Sequence, residues 1–204
     1  LIIAEDLGDI TEDVVELLEY SGFPGMRVFQ FGFLGENNSP HQPHNYPQNC
    51  IAYTGTHDNN TLLGYVWEID KNTRNTVLEY CGGYEENWNI GCEKIIRTML
   101  QSHSNTVIFP IQDIFVYGKD TRMNTPGTSK DNWAYRITGE QLKAVDTEKF
   151  KKLNKETYLT KYNMEGYEMN RMKKRLLILD KKELSLSEIR MLILSRSKNK
   201  IIYL

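Results

Sequence analysis

The sequence predicts an α/β protein built on a parallel sheet, and three observations carry that prediction. Short apolar runs alternate along the chain with stretches of helical period. The runs are continuous rather than alternating, the pattern of strands buried on both faces. Three of them end in polar residues capable of chemistry: Glu5, His57-Asp58 and Gln112-Asp113. Strands alternating with helices read as βαβ units. In barrels made of such units the functional groups gather at the C-terminal ends of the strands.

The elements follow in order. Leu1 to Ala4 is an apolar run closed by Glu5-Asp6-Leu7-Gly8, a buried strand and its loop. Thr11 can cap a helix with Glu12 and Asp13 in its first turn, where the helix dipole favours acids. Val14, Leu17 and Leu18 give that helix an apolar stripe, and Gly22, Pro24 and Gly25 stop it. Arg27 to Phe33, rich in aromatic and branched residues, predicts a second strand. A loop of Asn, Pro and His leads to a third, Cys50 to Thr54, closed by Gly55-Thr56-His57-Asp58-Asn59. Leu62, Leu63, Val66 and Trp67 share a helical face, and helical pattern returns over about 73–80 and 91–102. Thr106 to Pro110 is the fourth strand, and about 139–154 reads as a helix. A complete barrel needs eight strands and about 250 residues, so four strands make half of one.

From about Glu165 the chain changes character. Ten Lys or Arg stand against five acids, a local excess of five positive charges on a chain of net charge −2. Ser185 and Glu188 form a capping-box pattern ahead of an apolar stripe. The expected organisation is a catalytic domain over 1–160 and a helical basic tail over 161–204, either a solvated appendage or a partner-binding segment. With 40% apolar and 25% charged residues and near-neutral charge, the composition points to a soluble globular protein. It points away from nucleic acid and membrane surfaces as partners. The start at Leu1, inside an apolar run with no basic segment before it, predicts no signal peptide and an upstream portion cut away. Three cysteines, Cys50, Cys81 and Cys92, suit a reducing cytoplasm better than a disulfide framework. No Cys/His spacing suggests a zinc site, and nothing calls for a cofactor.

Each candidate site residue has a plain structural alternative. Glu5, at a strand end, suits a general acid whose pKa is raised by partial desolvation, or equally a salt bridge or helix cap. Asp58 can stabilise a cationic transition state and His57 can bond a sugar hydroxyl; both can also be structural. Asn124, in Arg122-Met123-Asn124-Thr125-Pro126-Gly127-Thr128, can bridge vicinal hydroxyls as donor and acceptor, but Asn, Pro and Gly also simply make turns. Tyr53, Trp67, Trp88 and Trp133 are expected in the core rather than as stacking platforms.

The order and wording of these segments together resemble the 4-α-glucanotransferase (amylomaltase) family. The carriers are Ile3-Ala4-Glu5-Asp6-Leu7-Gly8 with Ile10-Thr11, then Pro24-Gly25-Met26 and Val28-x-Gln30-Phe31-x-Phe33. Pro43-His44-Asn45-Tyr46-Pro47 follows, then Tyr53-Thr54-Gly55-Thr56-His57-Asp58-Asn59-x-Thr61. Arg122 to Thr128 with Asn132-Trp133 completes the set. The resemblance implies the C-terminal half, about strands five to eight, of a (β/α)8 barrel acting on α-1,4-glucans and maltooligosaccharides. It implies a retaining double displacement. Glu5 matches the general acid/base and Asp58 the carboxylate that stabilises the transition state. His57 matches a sugar-binding residue, and Asn124 lies in a substrate loop. The nucleophilic Asp belongs after strand four, upstream of Leu1, so the missing N-terminal half of the barrel is an expected partner and the chain alone is expected to be inactive. Two other readings stay open: an inactive half-barrel that binds glucan, and an α-glucan hydrolase of the same clan.

Overall fold

The computed structural model describes residues 2–35, 38–83 and 87–163. Its centre is a parallel sheet in the order β1-β2-β3, with β1 at Gly25–Val28, β2 at Cys50–Tyr53 and β3 at Thr106–Ile108. Met26 pairs with Ile51, Ile51 with Thr106 and Tyr53 with Ile108. The period of two then divides the side chains between two faces. Cys50, Ala52 and Val107 enter a large core on one face, while Ile51, Tyr53 and Ile108 form a small cluster on the other, joined by Ile3 and Met26.

The large core is closed by helices. Helix α2 (Leu62–Glu68) starts at Thr61, whose hydroxyl accepts from the Gly64 amide, and α3 (Lys71–Tyr80) starts at Asp70, which caps Asn72 and Thr73. Helix α4 (Trp88–Gln101) starts at Asn87 and buries Ile95, Ile96, Met99 and Leu100. Each such side chain contributes about 1.5–3 kcal/mol on leaving water. Helix α5 (Ile111–Ile114) is a single turn after β3. Helix α6 (Gly139–Lys143) has a full capping box between Thr138 and Gln141. Helix α7 (Thr147–Asn163) packs on α4 and is tied to it by Lys149–Glu93 at 2.7 Å and Arg97–Glu156 at 3.1 Å.

Four expectations need correction. Residues 2–7 carry no regular secondary structure and lie outside the sheet, so among the described residues three strands stand where four were expected. The Ala4 amide there reaches a main-chain partner, Pro24 O at 3.0 Å. The Met26 amide donates instead to the Asp6 carboxylate, so a side chain takes the place of a ladder acceptor. The strand expected from Arg27 to Phe33 ends at Val28 and turns into a 3-10 helix over Phe29–Phe31. The single helix over 139–154 is two, because the main chain turns at Ala144 and Asp146 caps a new start through Lys149 N. The first helix, α1 (Glu12–Ser21), forms as expected, with Gly22 at φ +65 closing it, but none of its residues is buried. Leu17 and Tyr20 are largely exposed.

Beyond Asn163, the expected basic tail and its Ser185–Glu188 pattern lie outside the described residues. Among the described residues no helix is long and apolar enough to cross a membrane.

Candidate active site

A cleft of about 540 Å³ opens at the C-terminal ends of the three strands. Met26, Tyr53 and Ile108 give it an apolar floor. Glu5, the loop from Gly55 to Thr61, Arg122 and Arg136 bring polar groups to the cleft, and Met123 and Trp133 line it as well. An apolar cavity with a few convergent polar groups is the usual form of a small-ligand site.

The middle loop is built to hold its shape. Asn59 Oδ1 accepts from both the amide and the hydroxyl of Thr56, at 2.8 and 2.9 Å. The buried Gln30 side chain donates to Asn60 O at 2.8 Å. Gly55 is required by that contact, because a Cβ there would lie 2.6 Å from Gln30 Nε2. Asn60 reaches Glu68 at 2.7 Å, and Glu68 meets Lys119 at 3.1 Å. The Lys119 hydrogen bond holds the Glu68 carboxyl below its usual range, partly opposed by burial.

At the tip of this loop, His57 Nε2 lies 3.3 Å from Asp58 Oδ1, and both side chains are about half exposed. The Asn124 amide nitrogen also donates to Asp58 Oδ1. The Asn124 main-chain amide reaches His57 O at 3.1 Å. Arg122 completes the joint, with Nη2 donating to Asp58 O at 2.7 Å and Nε to Asn124 O at 2.8 Å. Beyond it, Asn132 Oδ1 takes the Thr125 amide and Asn132 Nδ2 donates to Thr128 O, each at 2.9 Å. Trp133 then folds back, its ring 5.1 Å from that of His57. Asp131 and Trp133 both sit at φ +60. A non-glycine residue in that region costs roughly 1–3 kcal/mol, which the surrounding hydrogen bonds offset.

The Glu5 wall is thinner. Glu5 is exposed in this chain. Its neighbour Asp6 is the anchored one, paired with Arg27 at 2.7 Å and nearly buried.

Of the residues predicted from sequence, Glu5, His57 and Asp58 line one cleft. Asn124 joins them through Asp58, its side-chain amide donating to the carboxylate, rather than by lining the cleft. Gln112 and Asp113, expected as strand-end chemistry, are 3% and 1% exposed; Gln112 lines the cleft and Asp113 does not. Trp67 and Trp133, expected in the core, are half exposed. The Trp133 side chain and the Arg122 guanidinium take part in the site in ways that residue type and spacing did not distinguish from core and turn.

A parallel sheet with a carboxylate-bearing cleft at the C-terminal strand ends fits an α/β enzyme, the class that includes the barrels. A family profile described as 4-alpha-glucanotransferase matches residues 1–143, and the chain belongs to that family. It is 43% identical over 140 residues to the 4-alpha-glucanotransferase of Clostridium butyricum, covering 66% of this chain and 28% of that protein. It is also 43% identical over 139 residues to the chloroplastic/amyloplastic 4-alpha-glucanotransferase DPE1 of Arabidopsis thaliana, covering 67% of this chain and 23% of that protein. The chain thus spans about a quarter of the length of these curated relatives. Among solved structures it resembles the amylomaltase of Streptococcus agalactiae in complex with acarbose, with a TM-score of 0.67 and 38% identity over 79% of this chain and 31% of that one. The amylomaltase of Corynebacterium glutamicum, 18% identical with a TM-score of 0.51, shares the fold.

Proposed function

We propose that this chain is part of the catalytic barrel of a 4-α-glucanotransferase, moving segments of α-1,4-glucan to the 4-hydroxyl of glucose or another maltooligosaccharide with retention. The observation that carries this reading is the convergence of Glu5 and the His57-Asp58 pair on one cleft at the strand ends of a chain of this family. The three parallel strands are read as part of the second half of a (β/α)8 barrel, the small Ile51, Tyr53 and Ile108 cluster lying toward its interior.

In this mechanism Glu5 protonates the leaving glycosidic oxygen and later takes the proton from the acceptor hydroxyl. Its exposed carboxyl gains its desolvated surroundings from the rest of the barrel and from bound sugar. Asp58 stabilises the oxocarbenium-like transition state. Asn124 and His57 share its Oδ1, so the carboxylate is aimed before substrate arrives and no reorganisation is needed during reaction. His57 also faces the donor sugar's hydroxyls. The nucleophile is a further Asp supplied by the remainder of a longer barrel, because retention requires a carboxylate that forms a glycosyl-enzyme. The partners are glucans and that remaining half-barrel; neither nucleic acid nor membrane is involved. Cys50, Cys81 and Cys92 are buried thiols outside any disulfide, which supports a reducing compartment such as the cytoplasm.

Incubation of the 204-residue chain with maltotriose, followed by chromatography of the sugars, tests the division of roles. Neither free glucose nor longer oligosaccharides are expected. Sustained turnover would contradict a nucleophile located elsewhere.

A further inference from the structure

We propose that Gln112 and Asp113, adjacent in α5, are positioning residues that lock the two loops of the cleft together through hydrogen bonds to Thr54, Leu62 and Thr121. The loop bearing His57 and Asp58 leaves β2 after Thr54 and enters α2 at Leu62. A single carboxylate holds both flanks. Asp113 Oδ2 accepts from Thr54 Oγ1 at 2.5 Å, and Asp113 Oδ1 accepts from the Leu62 amide at 2.7 Å. The next residue back serves the other loop: Gln112 Nε2 donates to Thr121 O at 3.1 Å. Thr121 precedes Arg122, the side chain that grips Asp58 O and Asn124 O. Asp58 is therefore fixed from below, through the flanks of its own loop, and from the side, through Arg122.

Burial makes this arrangement costly for a residue that only fills space. Asp113 is 1% exposed, and desolvation pushes its carboxyl up to about 6 against the hydrogen bonds that lower it. An apolar side chain of similar volume fills a core site without that cost. What the carboxyl group adds is two directed bonds, and they end on the two flanks of the loop that carries Asp58. The consequence for catalysis rests on the role assigned to Asp58 above; the positioning itself does not.

The proposal predicts that hydrogen bonding, not charge, is what matters at residue 113. Asn keeps both bonds, its carbonyl accepting from Leu62 N–H and its amide donating to Thr54 Oγ1. Leu keeps the volume and loses both. Amide hydrogen exchange on the intact chain, with the His57 ring resonance as a second probe, separates the cases. In Asp113→Leu the Leu62 amide and the 55–61 loop are expected to exchange about tenfold faster or more, while α4 is unchanged. The His57 resonance should shift, because the Trp133 ring lies 5.1 Å away and senses any change in the loop. Asp113→Asn should restore both readings, and Gln112→Leu should loosen 121–124. If Asp113→Leu does not fold, Thr54→Val removes one bond alone and should show the same loosening at smaller size. Unchanged loop exchange in the folded Leu or Val variant would overturn the proposal. So would acceleration spread equally over α4, which marks a general loss of stability, or an Asn variant as damaged as Leu. No glucan enters the experiment, so its failure is distinct from failure of the transferase reading.

Discussion

The two walls of the cleft are built unequally. On one side, Asp58 is braced by Asn124, Arg122 and, through its loop, by Asn59, Gln30 and Asp113. On the other, the segment carrying Glu5 is held by one main-chain bond from Ala4 and by Asp6 on Met26 and Arg27. It then runs into α1, which buries nothing, whereas α4 on the braced side buries six residues. Both helices are amphipathic, so the difference lies in what covers them rather than in their own sequences. The lesson is that the Asp58 side of the cleft is braced from within this chain, while the Glu5 side continues into a helix that buries none of its residues.

That contrast can be broken or sharpened by substitution. The largest effect is expected on the braced side. Met99 is fully buried in α4, and Met99→Ala should cost about 2–5 kcal/mol in urea unfolding through transfer and cavity terms. Asp6→Ala removes the acceptor for Met26 N and the partner of Arg27, and should cost about 1–3 kcal/mol. It should also raise proteolytic cleavage between residues 2 and 24. Asp113 predicts a gain on acidification. Its folded pKa of about 6 lies above the ordinary 3.8, so its contribution to stability grows as pH falls through 6 and is complete below about 4. Between pH 7 and 5 that amounts to something on the order of 1 kcal/mol, and it should be absent in Asp113→Asn. The smallest effect is on α1, where Leu17→Ser should change stability by no more than about 0.5 kcal/mol, since Leu17 is 65% exposed. A large loss there would mean that α1 is covered after all.

Much of this was legible in the sequence because local chemistry dictated it. Continuous apolar runs at 50–54 and 106–110 marked β2 and β3 and placed His57-Asp58 at a strand end. Gly22 ended α1, and the stripe of Ile95, Ile96, Met99 and Leu100 marked α4. What was not legible depended on distant partners. Leu1 to Ala4 has a strand's composition, but Asp6, twenty residues from Met26 in sequence, takes the bond a strand would need. Asp113 reads as strand-end chemistry until Thr54 and Leu62 close around it. Trp133 reads as core until two residues at positive φ turn it toward His57.

The central claim, that Glu5 is the acid/base of a glucan transfer and Asp58 its electrostatic partner, has one direct test. Residues 1–143 can replace the matching segment of the Clostridium butyricum enzyme, with maltotriose disproportionation and acarbose binding measured on the chimera. The account predicts transfer by the chimera. It predicts a loss of roughly 10²–10⁴-fold on Glu5→Gln with acarbose still bound. A Glu5→Gln chimera that binds poorly but still transfers at the parental rate would contradict it.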